Sequence, residues 1–227
     1  MKISEIFYSI QGEGMLAGVP SVFVRTSGCN LRCSWCDTPY TSWAPEGASR
    51  NVAEIVAEVR RYPARHVVVT GGEPMIQPEI VELTEALRDA GLHITIETAG
   101  TAHAPVSCDL MSVSPKLANS TPRDRDEGRW AAMHERLRHQ PDVLRQLMRK
   151  YSYQLKFVIA APADMEEVEL LLDQIDADRS RVALMPEAVD AATLAERGRW
   201  LAEICKERGY RFSPRLHVML WGNRRGV

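Results

Sequence analysis

The sequence predicts an α/β fold built on parallel strands, and three observations carry that expectation. Short apolar runs of strand character recur along the chain, and most are followed by stretches of helical hydrophobic periodicity. Such alternation implies right-handed crossovers and a parallel sheet, either open or curled towards a barrel. The 227 residues are 45% hydrophobic, with no internal repeat or low-complexity linker, which places residues 1–227 in a single domain.

The expected strands are 21–25, 66–69, 93–96, 109–113, 154–159, 181–185 and 215–220. Between them, Val52, Ile55, Val56 and Val59 fall at i, i+3, i+4 and i+7 behind Asn51, with Glu54 three residues on, a helix with its N-cap. Ile80, Leu83 and Leu87 make a second stripe that Gly91 ends. Residues 117–152 are irregular, with eight Arg or Lys against five acids and helices broken near Pro141. They read as a helical insertion on one edge, a solvated cover first and a docking surface second. Val168, Leu171, Leu172 and Ile175 predict a further helix, and Leu194, Leu201, Ile204 and Cys205 the last before Gly209.

With 28 Lys plus Arg against 30 Asp plus Glu, the formal charge is −2, which argues against an electrostatic grip on nucleic acid or an anionic membrane. Small molecules are the expected partners. No stretch reaches the roughly 18 to 20 apolar residues that span a bilayer, and the opening segment lacks an apolar h-region, so the expected location is the cytoplasm.

Five cysteines include three, Cys29, Cys33 and Cys36, within eight residues directly after the first strand, in a loop opened by Gly28. A disulfide framework does not explain that crowding; reduced thiolates on metal do. Tetrahedral structural zinc needs four ligands, and no second pair stands at zinc-ribbon spacing. Three thiolates on a 4Fe-4S cluster leave one iron open for a non-protein ligand. From the residues alone, iron-sulfur ranks first, zinc second and plain thiols third. Cys205, on a helix's apolar stripe, and Cys108, with no ligand partner nearby, fall outside the site.

Cys29-x3-Cys33-x2-Cys36, with Trp35 before the last cysteine, is similar to the signature of the radical S-adenosylmethionine (SAM) enzymes. Thr70-Gly71-Gly72-Glu73-Pro74 resembles the element that receives the cofactor's methionyl amino group, its glycines admitting a ligand close to the backbone. The chain further resembles the 7-carboxy-7-deazaguanine synthases through EIFYSIQGEG at 5–14, VFVR at 22–25, Cys36-Asp37-Thr38, Glu97-Thr98, Ser114-Pro115-Lys116 and Leu216-His217. Residues 117–152 and those after His217 are poorly covered.

The resemblance implies an abridged, partial TIM-like barrel of parallel strands with crossover helices, and a homodimer. It implies a 4Fe-4S cluster on Cys29, Cys33 and Cys36, reduced by a partner such as flavodoxin or ferredoxin, and SAM on its free iron as the radical source, so no side chain is assigned as catalytic. Trp35, Cys36, Asp37, Gly72, Glu73, Glu97, Ser114, Pro115, Lys116, Met185, Pro186, Glu187 and Ala188 are the implied SAM-binding residues. Thr38 would ligate Mg2+. The implied substrate, 6-carboxy-5,6,7,8-tetrahydropterin, would meet Ile10, Gln11, Gly12, Glu13, Arg25, Thr70, His217 and Val227, Arg25 offering a bidentate fork. Ring contraction with loss of ammonia would give 7-carboxy-7-deazaguanine for queuosine or another deazapurine. Two rivals are a glycyl-radical activase, which must dock a large protein, and a non-catalytic metal module that binds tRNA. Strand-end placement of most of these residues brings them to the rim where α/β folds bind ligands.

Overall fold

Apart from the two-residue strand at Ala48–Ser49, strands from Pro20 onward lie side by side in the order in which the chain makes them. The computed structural model describes residues 1–227, with β1 (Lys2–Ile10), β2 (Pro20–Thr26), α1 (Pro39–Ser42), β3 (Ala48–Ser49), α2 (Val52–Val59), β4 (His66–Gly71), α3 (Ile80–Asp89), β5 (His93–Thr98) and β6 (Leu110–Val113) in the first half. The second half runs through α4 (Ala131–Arg138), α5 (Pro141–Lys150), β7 (Tyr153–Ile159), α6 (Asp164–Ile175), β8 (Val182–Pro186), α7 (Ala191–Arg208), β9 (Arg211–Phe212) and α8 (Leu216–Trp221). The sheet order is β3-β1-β2-β4-β5-β6-β7-β8-β9, parallel from β2 to β9, with β1 antiparallel to β2 and β3 antiparallel to β1. This sequential parallel winding is that of a partial TIM-like barrel: β3 and β9 end the sheet without pairing to each other.

Each parallel strand has two unlike faces. Val22 and Val24, Val67 and Val69, Ile94 and Ile96, Met111 and Val113, Leu155 and Phe157, and Val182 and Leu184 all belong to the main apolar core. In α2, α3 and α6 that same core takes Ile55, Leu83, Leu87, Val168 and Leu172. Alternate residues point the other way, and that row is polar where the site lies: Arg25, Thr70, Glu97, Ser112 and Lys156 line one cavity. The core therefore sits between sheet and helices, leaving the concave face free for chemistry.

Local signals set the helix ends. Asn51 Oδ1 accepts from the Glu54 amide at 2.9 Å while Glu54 Oε2 accepts from the Asn51 amide at 3.0 Å, the reciprocal cap that the spacing predicts. Gly91 and Gly209, at φ +75° and +72°, follow α3 and α7 as expected. Pro141 opens α5, separate from α4.

Three expectations need correction. Residues 216–220 fall in helix α8 (Leu216–Trp221), not in a strand; so short a segment fits either period, and within the helix only Val218 is buried. Strand β1 adds to the expected set: Ser4, Glu5 and Ser9 interrupt its apolar residues, so no clean period-two pattern marks it. Strands β4, β5 and β8 run further than expected, to Gly71, Thr98 and Pro186, so Thr70, Glu97 and Pro186 lie within strands rather than in loops beyond them. No helix is long and apolar enough to cross a membrane.

Candidate active site

A cavity of about 500 Å3 opens at the carboxyl ends of the parallel strands. Ile10, Gln11, Gly12, Glu13, Arg25, Cys29, Cys33, Trp35, Cys36, Asp37, Thr38, Thr70, Gly72, Glu97, Ser114, Lys116, Met185, Glu187, His217 and Val227 line it together. Of the expected residues, Glu73, Pro115, Pro186 and Ala188 do not.

The cysteine loop has almost no regular structure and is anchored from outside. Trp43 Nε1 donates to the Cys33 carbonyl at 3.0 Å, and Cys29 Sγ accepts from the Leu31 amide at 3.3 Å. No cysteine is in a disulfide. Burial pushes the Cys29 and Cys33 thiols up to about 12, so a metal that binds them must displace their protons. Glu73, the expected cofactor ligand, turns inward: its oxygens accept from Thr98 Oγ1 at 2.7 Å, the Ala99 amide at 2.8 Å and the Met75 amide at 3.1 Å. It braces the loop after β5. The paired glycines also serve the chain itself, since a Cβ on Gly71 would stand 2.2 Å from the Thr26 carbonyl oxygen and one on Gly72 2.2 Å from that of Gly28. They seat the end of β4 against the base of the cysteine loop.

Two residues that the sequence did not single out organise the other half. Lys156 and Arg215, only 5% and 6% exposed, both reach Glu13. Arg215 donates through Nε to Glu13 Oε1 at 3.0 Å, through Nη1 to the Ala188 carbonyl at 2.5 Å, and through Nη2 to Asp37. One guanidinium thus ties the segment after β1, the cysteine loop and the segment after β8. The available signal for Lys156 was period-two polarity inside an apolar strand, Gln154 and Lys156 alternating with Leu155 and Phe157; Arg215 offered none. Ala188 lies in a small cluster with Leu194 and Val218 and meets the site only through its carbonyl. The Glu187 carboxylate is paired with Arg197.

Glu97 is held on both oxygens, accepting from Gln11 Nε2 at 3.0 Å and Thr70 Oγ1 at 2.9 Å. Lys116 Nζ donates to Ser114 Oγ at 2.8 Å and stands 5.7 Å over the Trp35 ring. Arg25 Nε donates to Glu5 Oε1 at 2.7 Å; Glu5 also accepts from Tyr40 and from Arg225, whose guanidinium lies 4.2 Å over the Tyr40 ring. That contact seats the segment carrying Val227 along the cavity wall. His217 packs so closely on Gly12 that a Cβ there would come 2.0 Å from Nδ1. Burial holds its pKa below the usual histidine range, so the ring is neutral at pH 7.

The Glu13 carboxyl is pushed up by burial but held well below its usual 4.5 by Lys156 and Arg215. A folded-state pKa below the unfolded one gives stability that is fully present above about 4.5 and is lost as pH falls through the folded value. Unfolding midpoints of the native chain should therefore drop below pH 4.5 more steeply than those of Glu13→Gln. Parallel curves for the two proteins would remove Glu13 from the network.

Comparison with known proteins gives these positions a context. A model of the radical SAM superfamily matches residues 23–119. The 7-carboxy-7-deazaguanine synthase of Halobacterium salinarum is 49% identical over 98% of this chain and 91% of its own, and that of Rhodopirellula baltica 44% identical over 99% and 88%. The chain belongs to the 7-carboxy-7-deazaguanine synthase family. The crystal structure of QueE from Escherichia coli superposes with a TM-score of 0.72 at 28% identity, over 93% of this chain and 92% of that one.

Radical SAM enzymes use a 4Fe-4S cluster and SAM, and this synthase-family chain has donors suited to both. Three free thiols border one cavity with no fourth cysteine there, which suits a cluster with one open iron. No group of three His, Cys, Asp or Glu is gathered closely enough for a single ion; thiolates that each take a different iron need not converge on one point.

Proposed function

We propose that the protein is a 7-carboxy-7-deazaguanine synthase, converting 6-carboxy-5,6,7,8-tetrahydropterin to 7-carboxy-7-deazaguanine with release of ammonia, in 7-deazapurine biosynthesis. The observation that carries this reading is end-to-end identity of 49% to a synthase, with the cysteine loop and the Gln11 to Glu13 segment facing one cavity. Cys29, Cys33 and Cys36 would hold the cluster, and cluster and SAM together supply the one-electron chemistry that removes a hydrogen atom from the substrate. The residues described here bind, orient and shield.

Trp35 to Asp37, Gly72, Glu97, Ser114, Lys116 and the 185–188 segment would surround SAM, with Glu97 oriented by Gln11 and Thr70. The backbone of Ile10 and Gly12, with Gln11, would pair with the amide-like edges of the pterin. Glu13, one lone pair on each oxygen already engaged, keeps another on each for substrate N–H groups. Arg25 spends only Nε on Glu5, leaving its terminal nitrogens for a carboxylate or ring oxygen. Thr70, His217 and Val227 would complete the pterin's surroundings.

Mg2+ on Thr38 is part of the same reading. The Thr38 side chain precedes α1 without capping it, which leaves its hydroxyl facing the cavity near Cys36. A low-potential protein reductant, a homodimer and a cytoplasmic location complete the proposal, with residues 1–227 acting as one domain.

The test is anaerobic: reconstitute with iron and sulfide, reduce with dithionite, add SAM, the tetrahydropterin and Mg2+, and follow products by chromatography with mass detection. Formation of 7-carboxy-7-deazaguanine with ammonia supports the reading; SAM cleavage without that product overturns the substrate. In the same assay Thr38→Ala should lose most of the Mg2+ stimulation, and unchanged activity with unchanged Mg2+ dependence would remove Thr38 as a ligand.

A further inference from the structure

The cysteine loop lacks backbone pairing of its own through most of 29–36, so its shape must be imposed by neighbours. Besides Trp43, the main neighbours come from 117–138, within the 117–152 segment that reads from sequence as an edge cover. The Ser34 amide donates to the Ser120 carbonyl at 2.8 Å, and Arg125 Nη1 donates to the Ser34 carbonyl at 3.2 Å. Deeper in, the Arg32 amide, between Cys29 and Cys33, donates to His134 Nδ1 at 3.1 Å. His134 is fully buried on α4, and its other nitrogen lies 2.9 Å from Ser120 Oγ.

The hydrogen bonds fix the state of this ring. Ser120 has one hydroxyl hydrogen and gives it to the Leu117 carbonyl at 2.6 Å. The serine oxygen can then only accept from the ring, so Nε2 carries the hydrogen and Nδ1 keeps a free lone pair. That lone pair receives the Arg32 amide. Burial lowers the ring's pKa to about 4, in keeping with a neutral imidazole.

We propose that His134 is a positioning residue for the cysteine loop: as the Nε2–H tautomer set by Ser120, it fixes the Arg32 amide and thereby the placement of Cys29 and Cys33 before metal binds. This rests on the reading of the loop as cluster-bearing. It gives 117–138 a task, a clamp on the cysteine loop. The relation resembles that of outer hydrogen bonds to metal ligands in general, which orient the ligands and tune the metal.

Asparagine and glutamine separate a positioning role from a merely structural one. Asparagine can place its oxygen near Nδ1 and accept from Arg32, whereas glutamine reaches the Nε2 position and meets only Ser120. Hydrogen exchange at the Arg32 amide, read by mass spectrometry in loaded and metal-free protein, should be roughly fivefold to tenfold faster in His134→Gln and His134→Ala than in wild type. His134→Asn should stay close to wild type. Electron paramagnetic resonance of the reduced cluster with SAM should follow the same grouping, with an altered signal in the glutamine and alanine proteins. Ser120→Ala frees the tautomer without touching the ring, and it too should speed exchange at Arg32.

The proposal is overturned if Arg32 exchanges equally in all these proteins, or if the asparagine and glutamine variants are indistinguishable by exchange and resonance. Should the alanine variant not fold, the asparagine and glutamine pair still decides. If wild type itself takes up no iron, the cluster reading fails, and exchange at Arg32 still reports on His134.

Discussion

A Cys33→Ala protein is expected to retain no stable iron-sulfur cluster and to form no detectable product, while keeping its fold. The thiol is buried, yet the bond that seats this residue, from Trp43, goes to the backbone carbonyl and survives the exchange. Removing one buried heavy atom costs about 1 kcal/mol, a few degrees of melting temperature at this chain length. A cluster left with two thiolates has lost a third of its protein attachment. Iron content and visible absorbance after reconstitution, beside a thermal melt by circular dichroism, make the measurement. Cys205→Ala, whose sulfur lies on the apolar side of α7, should retain full iron. Wild-type iron and activity in Cys33→Ala would refute the cluster assignment.

Arg215→Met should be the most destabilising single exchange at the site. It leaves Glu13 and Asp37 without their shared guanidinium and the Ala188 carbonyl without its donor. Breaking a buried pair on one side costs about 3 to 5 kcal/mol, because a desolvated charge is left behind. At 227 residues that corresponds to a fall in melting temperature of roughly 10 °C. Arg215→Lys keeps the charge but cannot reach three acceptors with one planar fork, and should recover only part of the loss. Combining Arg215→Met with Glu13→Gln should cost less than the two changes summed, since both break the same Arg215–Glu13 contact and it can be lost only once. Strict additivity would mean that the two side chains do not act as a pair.

Much of the frame was legible in the sequence because it depends on local regularities. Apolar runs with helical stripes between them gave six of the parallel strands, Asn51 with Glu54 gave a helix start, and the cysteine spacing gave the loop that borders the cavity. What stayed hidden depends on distance along the chain. Arg215 meets Glu13 across 202 residues and Asp37 across 178, and no local pattern marks a residue for such partners. Glu73 and the glycine pair were legible as a Gly-Gly-Glu-Pro turn after a strand, but whether they face a ligand or the chain's own backbone is decided by how β4 packs on the cysteine loop. Residues 215–220 failed for a further reason: six residues are too few to tell one period from the other.

The two unlike faces of each parallel strand bear on how this architecture tolerates change. Side chains that hold the sheet to its helices and side chains that face the cavity alternate along the same strands, so neighbouring positions answer to different demands. An inward exchange such as Thr70→Ser leaves the helix-facing packing untouched, whereas an outward one such as Val69→Ala opens a void in it and spares the cavity. New substrate shapes can therefore be explored one residue at a time without the scaffold having to be repacked.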